Sequence, residues 1–156
     1  MNPSMHSSEK HDWETPAELL DRVRRVGAIA MDPCTTAANP TNATLIVHPP
    51  DDGLAVRWNH GLVYVNPPYG RALKAWASKI AAEANDGAEI IALTPSRTDT
   101  AWWHELWCAR DCCCFVRGRL TFVGAPHPAP FPSCAWYFGT QRQRFVRAFG
   151  DLGIIC

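Results

Sequence analysis

Three short apolar runs in this chain end on proline, and that repeated ending constrains the fold more than any other feature. Ala28-Ile29-Ala30-Met31 runs into Asp32-Pro33-Cys34, Leu62-Val63-Tyr64-Val65 into Asn66-Pro67-Pro68-Tyr69, and Glu89-Ile90-Ile91-Ala92-Leu93 into Thr94-Pro95. Proline has no N–H to give a ladder, so each run reads as a buried strand that stops where the proline begins. Helical patterns separate the runs. Thr15-Pro16-Ala17-Glu18 carries the signature of an N-cap and capping box, followed by Leu19, Leu20, Val23 and Val26 on one face and Gly27 at the end. A second helix is expected over residues 71–85, with Leu73, Trp76, Ile80 and Ala84 inward, and a third begins at Asp99 or Thr100 and carries Trp102, Trp103, Leu106 and Trp107.

The remaining elements are a short strand at residues 45–47, strands at 112–116 and 134–138, a basic helix over 141–149 and a short apolar tail from Leu152. Strands that alternate with helices predict an α/β fold: a mostly parallel sheet with an antiparallel C-terminal strand, and helices on both faces. Residues 1–11 read as a flexible polar arm and residues 12–156 as a single domain. In such sheets ligands sit outside the carboxyl ends of the strands, where all three proline endings would converge.

Composition narrows the chemistry. Lys+Arg and Asp+Glu are 15 each, so bulk positive charge cannot drive nucleic-acid binding and a local patch must do so. The stretch from Arg110 to the end holds six arginines against Asp111 and Asp151, and Arg117 and Arg119 flank a turn suited to phosphate contact. No apolar run approaches the roughly 18 residues of a membrane span, and the polar N-terminus is no secretory signal, so a cytoplasmic setting is expected. Seven cysteines, three of them adjacent, make a poor disulfide framework. His104, Cys108 and Cys112 share a spacing that suits zinc, yet no second ligand pair accompanies them, so buried thiols are expected and no metal.

Asn66-Pro67-Pro68-Tyr69-Gly70 carries the most specific chemistry. The prolines remove two donors and leave carbonyls, and Asn66 adds a carboxamide oxygen. A planar amine fits between the Asn66 oxygen and the Pro67 main-chain oxygen, with its ring on Tyr69, a contact worth about 1–3 kcal/mol for a base. Two acceptors on such an amine stabilise the positive charge that grows as its nitrogen is methylated. The same tetrapeptide suits a protein glutamine or an RNA base. A non-catalytic DNA-binding module built on the cysteines and arginines is the remaining alternative.

In order and spacing, several pieces together resemble the phage-type DNA adenine-N6 methyltransferases, the Dam-like branch of the AdoMet-dependent enzymes. These are Trp13-Glu14-Thr15-Pro16, Asp32-Pro33-Cys34, Asp52-Gly53-Leu54 with Trp58, Asn66-Pro67-Pro68-Tyr69-Gly70, Pro95-Ser96-Arg97-Thr98-Asp99-Thr100, Gly118-Arg119-Leu120 and Phe131-Pro132-Ser133. The resemblance implies a compact Rossmann-like methyltransferase sheet with AdoMet as cofactor and DNA as partner. It gives Asn66, Pro67, Pro68 and Tyr69 the catalytic role of holding a flipped adenine. Trp13, Thr15, Pro16, Asp32, Pro33 and Asp52 fall on the cofactor side. Arg71, Arg97, Asp99, Arg117 and Arg119 fall on the DNA side. It further implies a bacteriophage origin, a host bacterial cytoplasm and a place in restriction-modification.

Two departures stand out. Thr35-Thr36-Ala37-Ala38 replaces a glycine-rich turn, and the interval between Asp32 and Asn66 has room for about one strand-helix unit. No segment remains for a target-recognition domain. A short or loosely specified site is therefore expected, read by loops such as residues 118–133, with homodimer formation or a single-strand preference as ways to add contacts.

Overall fold

The computed structural model describes residues 13–156; the arm read over residues 1–11 lies outside them. In chain order the elements are α1 (Ala17–Val26), β1 (Ile29–Asp32), β2 (Leu45–Ile46), β3 (Leu62–Val65), α2 (Leu73–Asn85), β4 (Glu89–Pro95), α3 (Ala101–Ala109), β5 (Cys112–Val116), β6 (Ser133–Phe138), α4 (Arg142–Phe149) and β7 (Gly153–Ile155). The strands form one seven-stranded sheet in the order β2-β1-β3-β4-β6-β5-β7.

Side chains alternate across this sheet, as the pleat requires. Tyr64, Ile91, Leu93, Cys112, Cys114, Ala135 and Tyr137 face a core shared with α1 and α4. Val63, Val65, Ile90, Ala92, Cys113, Trp136 and Phe138 face one shared with α2 and α3. Helices thus cover both faces, as the alternation of elements predicted. The cysteine triplet is explained by the same geometry: Cys112, Cys113 and Cys114 are fully buried because both sides of β5 are covered.

The expectation of a mostly parallel sheet needs correction. The ladders β1/β2, β1/β3 and β3/β4 are parallel, while β4/β6, β5/β6 and β5/β7 are antiparallel, so the sheet is mixed. The cause lies in the connections. No helix lies between β5 and β6, and a strand that returns without a crossover helix pairs antiparallel. The α3 crossover sets β5 one place away from β4, and β6 fills the gap. The tail then adds β7 to the outer edge of β5.

Two local expectations also change. α1 begins after Pro16 with no side-chain cap, so Thr15 does not form the capping box read from the sequence. Between β1 and β3 the chain adds β2 alone, without a helix. Among the described residues no helix is long and apolar enough to cross a membrane.

Candidate active site

The parallel strands β1, β3 and β4 present their carboxyl ends at one edge of the sheet. A cavity of about 420 Å³ opens there, within the range of small-molecule sites. The structure brings Trp13, Thr15, Asp32, Pro33 and Asp52 together around it, with Asn66 and Pro68. Of the residues read onto the cofactor side, Pro16 alone does not line it; its carbonyl accepts from Leu19 and Leu20 at the start of α1.

Asn66 follows the last residue of β3. Its Nδ2 donates to the main-chain oxygen of Trp13 and, at 3.1 Å, to Thr15 Oγ1. Both amide hydrogens are then committed, and Oδ1 is left buried with no hydrogen-bond partner among the described residues. A buried carbonyl oxygen without a donor is destabilising by about 1–3 kcal/mol, so an orphan acceptor beside a cavity marks a place for a donor from outside the fold.

The rest of the tetrapeptide is deeper than its sequence suggests. Pro67 is buried and Pro68 half-buried. Tyr69 presents no open flat face: the residue is 7% exposed, and its ring packs edge-on against Phe122 at 6.3 Å and Phe131 at 5.5 Å. Trp13 joins the same aromatic group, 5.2 Å from Phe122. Burial raises the Tyr64 and Tyr69 phenols well above their ordinary range, so both keep their protons at neutral pH.

Asp32 ends β1 and is buried. Its Oδ1 accepts from Cys34 N at 3.0 Å and its Oδ2 from Thr41 Oγ1 at 2.8 Å, so the carboxylate organises its own turn. Burial raises its pKa, against the pull of the Cys34 and Thr41 bonds. The turn does without glycine because Asn39 and Asn42 take the left-handed conformation, at φ 49° and 53°. Asn39 also clamps Ala43 through two 3.0 Å hydrogen bonds.

After β2 the chain passes Asp51 and Asp52, both exposed and both lining the cavity. Asp52 Oδ1 accepts from Leu54 N at 2.9 Å. Trp58 anchors this loop: its indole donates to Gly53 O at 2.9 Å, and its main-chain N–H donates at 3.1 Å to Glu83 on α2.

Arg71, Arg97, Asp99, Arg117 and Arg119 do not line the cavity. They are exposed, in segments that follow Gly70, β4 and β5. β5 runs in the direction of β4, because each is antiparallel to β6, so all five stand at the edge that holds the cavity. None of the four arginines has a carboxylate partner among the described residues.

The family model for DNA N-6-adenine-methyltransferase (Dam) matches residues 3–130. The chain belongs to this family. The match takes in the whole cavity lining and stops just before β6. No curated protein matches the chain. The family brings DNA adenine-N6 methylation as its general activity and AdoMet as its usual cofactor.

The donor set suits such a cofactor. Carboxylates at Asp51 and Asp52 offer acceptors to ribose hydroxyls and an ammonium, while Trp13, Trp76, Val47 and prolines supply apolar walls. Sequence reasoning pointed to Asn66, Asp32 and Thr15, which line the cavity, but did not single out Tyr64, Thr41 and Asp51, which line it too. Tyr64 looked like any residue of an apolar strand. Thr41 lay in a stretch with no periodicity, and its distance from Asp32 along the chain concealed the contact.

Proposed function

We propose that this chain transfers the AdoMet methyl group to the exocyclic N6 amine of adenine in DNA. The observation that supports this reading best is the buried Asn66 Oδ1, without a partner among the described residues, on a side chain that lines the cavity and whose Nδ2 is already bonded. AdoMet, when bound, supplies an electrophilic methyl group. Asp51 and Asp52 would hold its polar end groups, and Trp13, Pro33 and Trp76 its apolar surfaces.

The chain's own part is electrostatic. The Asn66 Oδ1 accepts one hydrogen of the target amine and the Pro67 main-chain oxygen the other. Both acceptors draw the nitrogen lone pair out of conjugation with the ring and stabilise the positive charge that develops on it. A carboxamide is no base, so the cationic methylated amine loses its proton to solvent as the product base leaves the site. The phenols of Tyr64 and Tyr69 remain neutral, and the aromatic group of Trp13, Tyr69, Phe122 and Phe131 excludes water around the base.

Adenine in a duplex keeps its amine in the base pair, so the base must be extruded, at a cost of a few kcal/mol. Arg71, Arg97, Arg117 and Arg119, exposed at the sheet edge that holds the cavity, would bind the flanking phosphates. Reading of the sequence falls to the loops at this edge, residues 118–132 above all, which favours a short recognition site.

The test uses methyl-labelled AdoMet with separate pools of DNA, RNA and protein, followed by digestion and identification of the labelled product. Label is expected in N6-methyladenine of DNA, with Asn66→Ala losing at least about a hundredfold in rate, the scale of removing one preorganised hydrogen-bonding group. Label in glutamine or in RNA instead overturns the reading.

A further inference from the structure

A carboxamide can present its oxygen or its NH₂ to a neighbour with almost no change of shape, and only its hydrogen bonds decide which. For Asn66 the two choices are not equivalent. With Oδ1 toward the cavity the side chain accepts; flipped, it would offer a donor to an amine that also donates. The flip state of this one group therefore sets whether the site works, on the reading given above.

Three atoms hold it. The Trp13 carbonyl can only accept, so it calls for the nitrogen. Thr15 Oγ1 takes the second amide hydrogen. Thr15 is itself held by Tyr64, whose hydroxyl lies 2.6 Å from Thr15 Oγ1. Tyr64 lies in β3 and Asn66 follows the last residue of that strand, and Thr15 bridges their side chains from the segment before α1. Tyr64 is 1% exposed and Thr15 5%, so water has little access to replace either bond.

We propose that Thr15 and Tyr64 are positioning residues for methyl transfer: a hydroxyl relay that fixes the Asn66 carboxamide with Oδ1 toward the target amine. This role differs from holding cofactor. Thr15 acts through Asn66, and Tyr64 acts through Thr15. It also explains why Thr15 does not cap α1, since its hydroxyl is committed to the relay.

The test joins a structural readout to a kinetic one. In ¹⁵N-labelled protein, the Asn66 side-chain NH₂ pair, assigned by its loss in Asn66→Ala, should exchange slowly with solvent because both hydrogens are bonded. Thr15→Val should release one of them. The same variant should lower the transfer rate at saturating AdoMet and DNA by about tenfold, equivalent to about 1.4 kcal/mol. AdoMet affinity by calorimetry should change by less than about threefold. Thr15→Ser should recover most of the loss. Tyr64→Phe keeps the core shape and should show the same pattern at about threefold.

Wild-type rates and unchanged NH₂ exchange in both Thr15→Val and Tyr64→Phe would overturn the relay. So would a loss carried wholly by AdoMet affinity with the saturated rate intact. A wild type that leaves DNA unmethylated would refute the functional reading instead, while the NH₂ exchange would still report whether the relay exists.

Discussion

The carboxylate of Asp32 shows how a single side chain shapes the cofactor side of the cavity. It sits 3% exposed, where an ionised group must be fully partnered, and the fold meets this with Cys34 N and Thr41 Oγ1. Thr41→Val removes one charge-assisted bond from a buried acceptor. The expected loss is about 2 kcal/mol, seen in calorimetry as a fall in Tm of about 4–8 °C. An unchanged Tm would mean that Asp32 needs no hydroxyl. At this scale the sequence was informative where a residue ended a strand. Asp32 and Asn66 each follow an apolar run and precede proline, so their position at the sheet edge could be argued in advance. Thr15 was legible as polar punctuation before a helix, but its true partners lie across the sheet edge, and no local rule points there.

Among the elements, the loop from Asp51 to Trp58 depends on a close fit. Gly53 is buried against β1's end and α2; an added Cβ would lie 1.9 Å from Pro33 O and 2.8 Å from the Trp76 ring. Neither the main chain nor a ring stacked on Trp58 at 6.0 Å can yield easily. Gly53→Ala should therefore push the loop outward and weaken AdoMet binding by about tenfold or more, the scale of about 1–3 kcal/mol of overpacking. Calorimetric titration checks this, and affinity within twofold of wild type would show that the loop is adaptable. The helices and most strands were readable because hydrophobic period and proline endings agree with their tertiary roles. The antiparallel direction of β6 was expected, but its place between β4 and β5 was not, because that follows from the missing crossover helix in residues 117–132, and a loop's path leaves no periodic trace. The pairing of β7 was equally hidden: three residues suffice for a ladder but not for a pattern.

For the molecule as a whole, zero net charge hides a polarised layout. The four arginines without carboxylate partners at the cavity edge, Arg71, Arg97, Arg117 and Arg119, give a neutral protein a local means of holding a polyanion. Replacing Arg117 and Arg119 together by Gln should reduce the slope of log affinity for DNA against log salt by about two, and leave AdoMet affinity as it was. An unaltered slope would place the phosphates elsewhere. The far edge of the sheet is built differently. It is turned by Gly61, Gly87 and Gly139, each at positive φ, and at Gly87 no atom stands within 4 Å of where a Cβ would go. Open space beside Gly87, at the end of the sheet away from the cavity, makes that turn a natural handle: a tether or reporter spliced there would leave the reactive edge facing solution.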